Sequence, residues 1–194
     1  MDIPDESAAT AGPPPAVRVP RRALVVLAGL PGAGKSTLLR RLTAPVGTVV
    51  LDSEQVRARL RAALPAQLPY RWYRPLVHAV HRARIAWFCC TARGLVVAHE
   101  PSTRGGTRLM LVLFAVLTVR PRLLVWLHVG PEEALAGQEA RGRLIRSRAF
   151  RLHVHRAYRV HRTLLAGGRL RGWQHVLLFT RKDIERGLEL RTPR

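Results

Sequence analysis

Lysine is almost absent from this chain: of 33 basic residues only Lys35 and Lys182 are lysine, and the rest are arginine. Acid is scarce too, with 12 carboxylates in 194 residues, which leaves a net charge of +21. Cysteine is limited to Cys89 and Cys90. They are adjacent in a helical stretch, where neighbouring side chains point about 100° apart, so a disulfide between them would be strained and small core residues are expected. No CxxC pair or disulfide framework exists. The most apolar run, Leu109 to Val119, is broken by Arg120-Pro121-Arg122. It is too short to span a bilayer and reads as a buried helix. The start carries Asp2, Asp5 and Glu6 rather than the basic-then-apolar order of an export signal. These absences argue against a disulfide-stapled secreted domain and against membrane spans, and they favour a cytoplasmic protein.

What is present suits a folded globule, since apolar residues make up 47% of the chain. Residues 1–20 are rich in Ala, Pro and acid, with Pro13-Pro14-Pro15 among them, and read as a disordered leader before a domain over 21–194. From residue 21 on, short β-branched or leucine-rich runs alternate with longer helical patterns, the signature of βαβ units and an α/β parallel sheet. Strands are predicted at 23–27, 48–51, 95–98, 123–129 and 175–179. Helices are predicted at 35–43, 54–63, 74–92, 107–119, 132–141, 148–166 and 183–190. Ligands of open parallel sheets sit beyond the carboxyl ends of the strands.

The first predicted strand leads directly into Gly29-Leu30-Pro31-Gly32-Ala33-Gly34-Lys35-Ser36, followed by Thr37. This matches G-x-x-x-x-G-K-[ST], with a strand before it and a helix after it, the context that the pattern requires. Glycines let the backbone turn so that several N–H groups converge on one set of phosphate oxygens. Residues 29–37 are therefore the candidate ATP-binding set. Lys35 would reach the β/γ-phosphates, and the Ser36 hydroxyl would ligate Mg²⁺. No N-K-x-D guanine motif appears, so ATP is preferred over GTP.

The second predicted strand ends in Leu51-Asp52-Ser53-Glu54-Gln55-Val56-Arg57. Transfer of a phosphoryl group to a hydroxyl benefits from a base and from a cation that holds the acceptor. Asp52 or Glu54 could be that base, and Arg57, one helical turn from Glu54, could hold an anionic acceptor. The same residues also read as a helix start with Ser53 as cap and Glu54 favourable to the dipole.

From Ala23 to Arg57 the sequence resembles the P-loop kinases of the polynucleotide-kinase and zeta-toxin type, the AAA_33-like ATP-binding proteins. Ser53-Glu54-Gln55-Val56-Arg57 matches their S-D-x-x-R pattern, with glutamate where aspartate is usual. The resemblance implies a three-layer P-loop NTPase fold with a five-stranded parallel sheet in the order 2-3-1-4-5, Glu54 as general base and Arg57 as substrate anchor. It extends more weakly to about Arg162. There Glu100 falls where an acid would hold Mg²⁺ or orient substrate, and Arg104 and Arg108 fall where acceptor or phosphate would bind. His99-Glu100 stands in place of a firm Walker-B aspartate, and His99 itself reads as a satisfied strand-end histidine. The stretch Gln138 to Arg148 resembles the arginine-bearing lid of these kinases, with Arg141 and Arg143 flanking a Gly142 hinge. These two are the candidates to stabilise transferring charge.

The expectation is an ATP- and Mg²⁺-dependent kinase acting on a small molecule or a nucleic-acid end. The alternative is an ATP-gated module that binds nucleic acid or protein without productive transfer, motivated by His99-Glu100 and by the arginine excess. The histidines lack a companion Cys pair or an H-E-x-x-H frame for a resident metal. Tyr70, Trp72, Tyr73, Trp87 and Phe88 are expected to pack a helix onto the sheet, with base stacking as the other use of such a cluster.

Overall fold

Six consecutive buried residues, Leu24–Gly29, form the strand around which the molecule is arranged. A computed structural model of the protein describes residues 13–140 and 147–193. The strands are β1 (Ala16–Arg18), β2 (Leu24–Gly29), β3 (Leu42–Thr43), β4 (Val49–Asp52), β5 (Val96–His99), β6 (Arg122–His128), β7 (His175–Thr180) and β8 (Leu188–Arg191). The helices are α1 (Lys35–Arg40), α2 (Ser53–Ala63), α3 (Tyr70–Thr91), α4 (Gly105–Leu117), α5 (Pro131–Glu139) and α6 (Ser147–Leu165). A strand buried on both faces must be apolar throughout, and it can hydrogen-bond only to neighbours on either side. β2 accordingly lies at the centre of a five-stranded parallel sheet in the order β4-β5-β2-β6-β7. Counted along the chain, these five strands run 2-3-1-4-5, as the family resemblance implies. No helix among the described residues is long and apolar enough to cross a membrane.

The structure corrects the sequence reading in several places. Ala16–Arg18, assigned above to the leader, forms β1 and pairs with β8. The helix expected at 183–190 is replaced by a turn and β8, which lies between β1 and β3 in a separate three-stranded sheet. Leu188 and Leu190 are buried while Glu189 and Arg191 are more open, an alternation of period two that fits a strand and not a helix. Helix α3 begins at Tyr70 rather than residue 74 and continues through Pro75. The cap of α2 is Asp52, not Ser53: its carboxylate accepts from the Glu54 amide. Helix α4 is only half buried. Leu111, Val112 and Ala115 face the core, but Leu109, Leu113, Val116 and Leu117 are exposed. Cys89 is a core residue, as expected, whereas Cys90 is exposed.

Arg120, read from sequence only as the end of an apolar run, is the polar centre of the opposite edge of the sheet. It is 1% exposed. Its guanidinium donates to the carbonyls of Cys89 (2.7 Å), Phe88 (3.4 Å) and Ala92 at the end of α3. It also donates to the carbonyls of Arg22 (2.9 Å) before β2 and Gly94 (2.9 Å) before β5. The last carbonyls of a helix lack continuing intrahelical donors and carry partial negative charge. Of these three, only that of Phe88 is also met by an amide among the described residues, that of Ala92, so a cation suits this end. One side chain thus ties α3 to the starts of two central strands. Arg120→Ala is expected to destabilise the protein by about 3 kcal/mol or more in urea unfolding, because it orphans buried carbonyls. Arg93→Ala, at an exposed position, should cost less than about 0.5 kcal/mol.

Candidate active site

The loop leaving β2 depends on two close backbone approaches. Gly29 has φ 137°, and a Cβ there would lie 2.3 Å from the Leu127 carbonyl oxygen on β6. Gly32 has φ 93°, and a Cβ there would lie 1.9 Å from the Ala134 carbonyl oxygen on α5. Both conformations and both contacts demand glycine. Helix α5 and the end of β7 hold the loop from outside. Gln138 Nε2 donates to the Pro31 carbonyl (3.3 Å), and Arg181 donates to the Gly32 carbonyl (3.1 Å) while pairing with Glu133 (3.0 Å). Lys35, the first residue of α1, is 4% exposed. Its Nζ donates to the carbonyls of Gly29 (3.0 Å) and Leu30 (2.6 Å), so the ammonium sits inside the turn of its own loop.

The parallel register brings the ends of the neighbouring strands to the same edge. Asp52 pairs in register with His99, and His99 with Leu27 of β2. The Gly29 amide donates to the Pro101 carbonyl (3.1 Å), joining the loop to the segment after β5. At this edge Asp52 Oδ1 accepts from the Glu54 amide (3.1 Å) and from His99 Nδ1 (3.0 Å). An ionised carboxylate can only accept, so the His99 proton lies on Nδ1. Burial raises the Asp52 pKa, but the hydrogen bond and charge of His99 and the Glu54 amide outweigh it and hold the group at about 2. Asp52 is therefore a weak proton acceptor that caps α2 and orients His99. His99 is satisfied at its strand end, as expected, and the acid it satisfies is one of the two candidate bases. Glu54 is about half exposed and pairs with Arg57 at 3.5 Å. The Arg57 guanidinium also lies 4.5 Å over the Tyr70 ring.

Glu100 follows directly and is 4% exposed. Burial raises its pKa, opposed by Arg82, His99 and Lys35. Arg82 donates to Oε1 at 3.4 Å, while Oε2 lies 3.8 Å from His81 Nε2 and has no hydrogen-bond partner. A buried carboxylate oxygen without a hydrogen-bond donor, within reach of the Lys35 charge, is a group that could hold a water-bearing cation such as Mg²⁺. No group of three or more His, Cys, Asp or Glu side chains among the described residues could hold a metal by itself.

The remaining predicted residues divide. Arg108 is partly buried and donates to the carbonyls of Ser102 (2.7 Å) and Thr103 (3.1 Å), so one of its nitrogens already shapes the loop before α4. Arg104, at the start of that helix, is exposed. Arg141 and Arg143 lie outside the described residues. Of the aromatic residues, Tyr73 is buried against Val56 and Val77, and Tyr70 meets it edge-on at 5.2 Å. Trp72 and Trp87 are exposed and pack nothing onto the sheet. Arg181 was missed by the sequence reading; its position just after the last strand of the sheet, at the carboxyl edge, is the signal that could have found it.

Comparisons with known proteins fit this geometry. A family model described as an AAA domain, AAA_33, matches residues 24–165. Similar solved structures include the PezAT chromosomal toxin-antitoxin system of Streptococcus pneumoniae, at 12% identity and a TM-score of 0.62 over 88% of this chain and 71% of that one. Kti12 of Chaetomium thermophilum in complex with ADP-AlF3 is 16% identical, with a TM-score of 0.51 over 81% of this chain and 88% of that one. The Deinococcus radiodurans tunicamycin resistance protein is 13% identical, with a TM-score of 0.51 over 80% and 85%. These likenesses show the P-loop kinase-like fold. A search of curated protein sequences gives no significant match.

The buried histidine beside Glu100 gives the site a pH signature. His81 is fully buried, and its Nε2 lies 3.1 Å from the His99 carbonyl. Burial lowers its pKa from 6.5 to about 4. The fold thus favours neutral His81, and that stability is fully present above pH 6.5 and is lost as pH falls toward 4. The loss is about 3 kcal/mol. Urea midpoints measured across this window should fall steeply for the wild type and less steeply for His81→Gln; parallel curves would contradict the assignment.

Proposed function

The chain belongs to the AAA_33 family, and from that premise we propose that it binds ATP with Mg²⁺ and transfers the γ-phosphoryl group to a hydroxyl of a small molecule or a nucleic-acid end. The observation that carries this reading is Lys35, buried and donating to the carbonyls of its own glycine-constrained loop. A bound triphosphate offers that ammonium anionic oxygens, which make stronger hydrogen bonds than neutral carbonyls. The backbone amides of Gly32, Gly34, Lys35 and Ser36 would hold the phosphates, the Gly29 amide being taken by the Pro101 carbonyl. Ser36 and Glu100 would hold Mg²⁺, which would supply charge to neutralise phosphate oxygens. Glu54 takes the acceptor proton, and Arg57, braced by Glu54 and Tyr70, binds the acceptor. Asp52 positions the start of α2 and leaves the base role to Glu54. Arg181 steadies the loop at Gly32. A reducing, cytoplasmic setting accords with the free thiols of Cys89 and Cys90.

A second reading has one observation in its favour. Asp52 is committed to His99 and to the α2 cap, and His99-Glu100 replaces the expected aspartate, so the protein would hold ATP as a switch for binding another molecule without transfer. The test is a transfer screen with γ-labelled ATP against nucleosides, polynucleotide 5′ ends and hydroxyl-bearing antibiotics. One acceptor class should take up label. Lys35→Ala should weaken ATP binding by about tenfold or more, equivalent to about 1.4 kcal/mol. Glu54→Gln should leave ATP affinity unchanged and slow transfer by about 100-fold. Unchanged affinity in Lys35→Ala would overturn the nucleotide assignment. Normal ATP binding with no labelled acceptor would favour the second reading.

A further inference from the structure

A second concentration of positive charge lies between α4 and α6. A cleft of about 620 Å³ is lined there by Thr103, Arg104, Arg108, Arg156, Arg159 and Thr163, among others. That volume lies in the range of ligand sites. No guanidinium of the four pairs with a carboxylate among the described residues. Arg104, Arg156 and Arg159 make no hydrogen bond or ion pair there, and Arg108 bonds only to the carbonyls of Ser102 and Thr103. The local potential registers on a neighbouring side chain: burial and the charges of Arg104, Arg156, Arg74 and Lys35 lower the pKa of His153 to about 4.

The walls are fixed rather than loose. Thr103 and His153 Nδ1 are 2.8 Å apart and join the loop before α4 to α6. His161 of α6 stacks on His128 at the end of β6, with ring centroids 3.5 Å apart. Ser102, next to the cleft, holds φ 53°, a left-handed conformation unusual for serine. Uncompensated cations converging on a formed cleft repel one another, and an anion relieves that repulsion. Arg156 and Arg159 are three residues apart on α6 and so lie on one helical face, while Arg104, the extended residue before α4, and Arg108 in its first turn line the opposite wall. A row of this kind suits a run of phosphates better than a single anion, and arginine grips phosphate with paired donors.

We propose that the α4–α6 cleft is a binding site for a ligand carrying consecutive phosphate groups, either a single-stranded nucleic acid or a free oligophosphate, built from side chains other than those of the Lys35 loop. The proposal goes beyond the kinase reading and does not need it.

The test measures the binding of a fluorescent single-stranded hexanucleotide by anisotropy, and of inorganic tripolyphosphate by calorimetry, at several salt concentrations. The proteins are the wild type, Arg156→Gln/Arg159→Gln, and a charge-matched control, Arg21→Gln/Arg93→Gln, at exposed positions outside the cleft. The cleft variant should lose about tenfold or more in affinity and, for the strand, about 1.4 in the slope of log affinity against log salt. The control should change less than about twofold. Tighter capture of the strand identifies nucleic acid as the source, and tighter capture of tripolyphosphate identifies the free oligophosphate. Equal losses in the two variants, or no binding of either probe, would overturn the proposal. Lys35→Ala should keep cleft binding, so loss of nucleotide binding and loss of cleft binding are read separately. Circular dichroism confirms that each variant is folded.

Discussion

The buried ammonium of Lys35 is the contact on which the site depends. A charge taken out of water must meet polar partners, and here the carbonyls of Gly29 and Leu30 supply them within the same turn. That arrangement exists only because the backbone closes on itself without side chains in the way. Gly29 lies against the carbonyl of Leu127, and Gly32 against that of Ala134. The central strand, the loop and α5 are therefore one packed unit, and the lysine is its polar core.

Around this unit four carboxylates are engaged. Asp52 holds the start of α2 and His99, Glu54 meets Arg57, Glu100 meets Arg82, and Glu133 meets Arg181. With 12 acids against 33 bases, the structure places acids where they shape the strand ends and leaves many arginines to face anions. Arg120 is the exception in the opposite sense: its charge is met by backbone carbonyls, and it serves the fold at the far edge of the sheet. The kinase reading and the proposal for the cleft between α4 and α6 draw on the same imbalance through different side chains.

The central sheet was legible because its evidence is local. Leu24–Gly29 is apolar throughout, as a strand buried on both faces must be, and the glycines and lysine after it follow a fixed spacing. The small sheet was not legible. β1 and β3 have only 3 and 2 residues, and all of β1, β3 and β8 are strands because of partners distant in sequence. The Asp52–His99 contact is likewise set by register between β4 and β5 across 47 residues. Sequence could nominate Asp52 as a base, but only the fold shows its carboxylate occupied. Arginine abundance hid Arg120, Arg156, Arg159 and Arg181 among residues of the same type. Their different roles follow from burial and neighbours, which composition does not carry.

The most direct measurement of the central claim is an amide-resolved NMR titration of isotopically labelled protein with ATP and Mg²⁺. Capture of a triphosphate by the main chain predicts that the amide resonances of Gly32, Ala33, Gly34, Lys35 and Ser36 move together and saturate, while exposed amides such as those of Arg21 and Arg93 stay in place. Loop amides that remain still at millimolar nucleotide and magnesium, in a folded protein, would contradict the account.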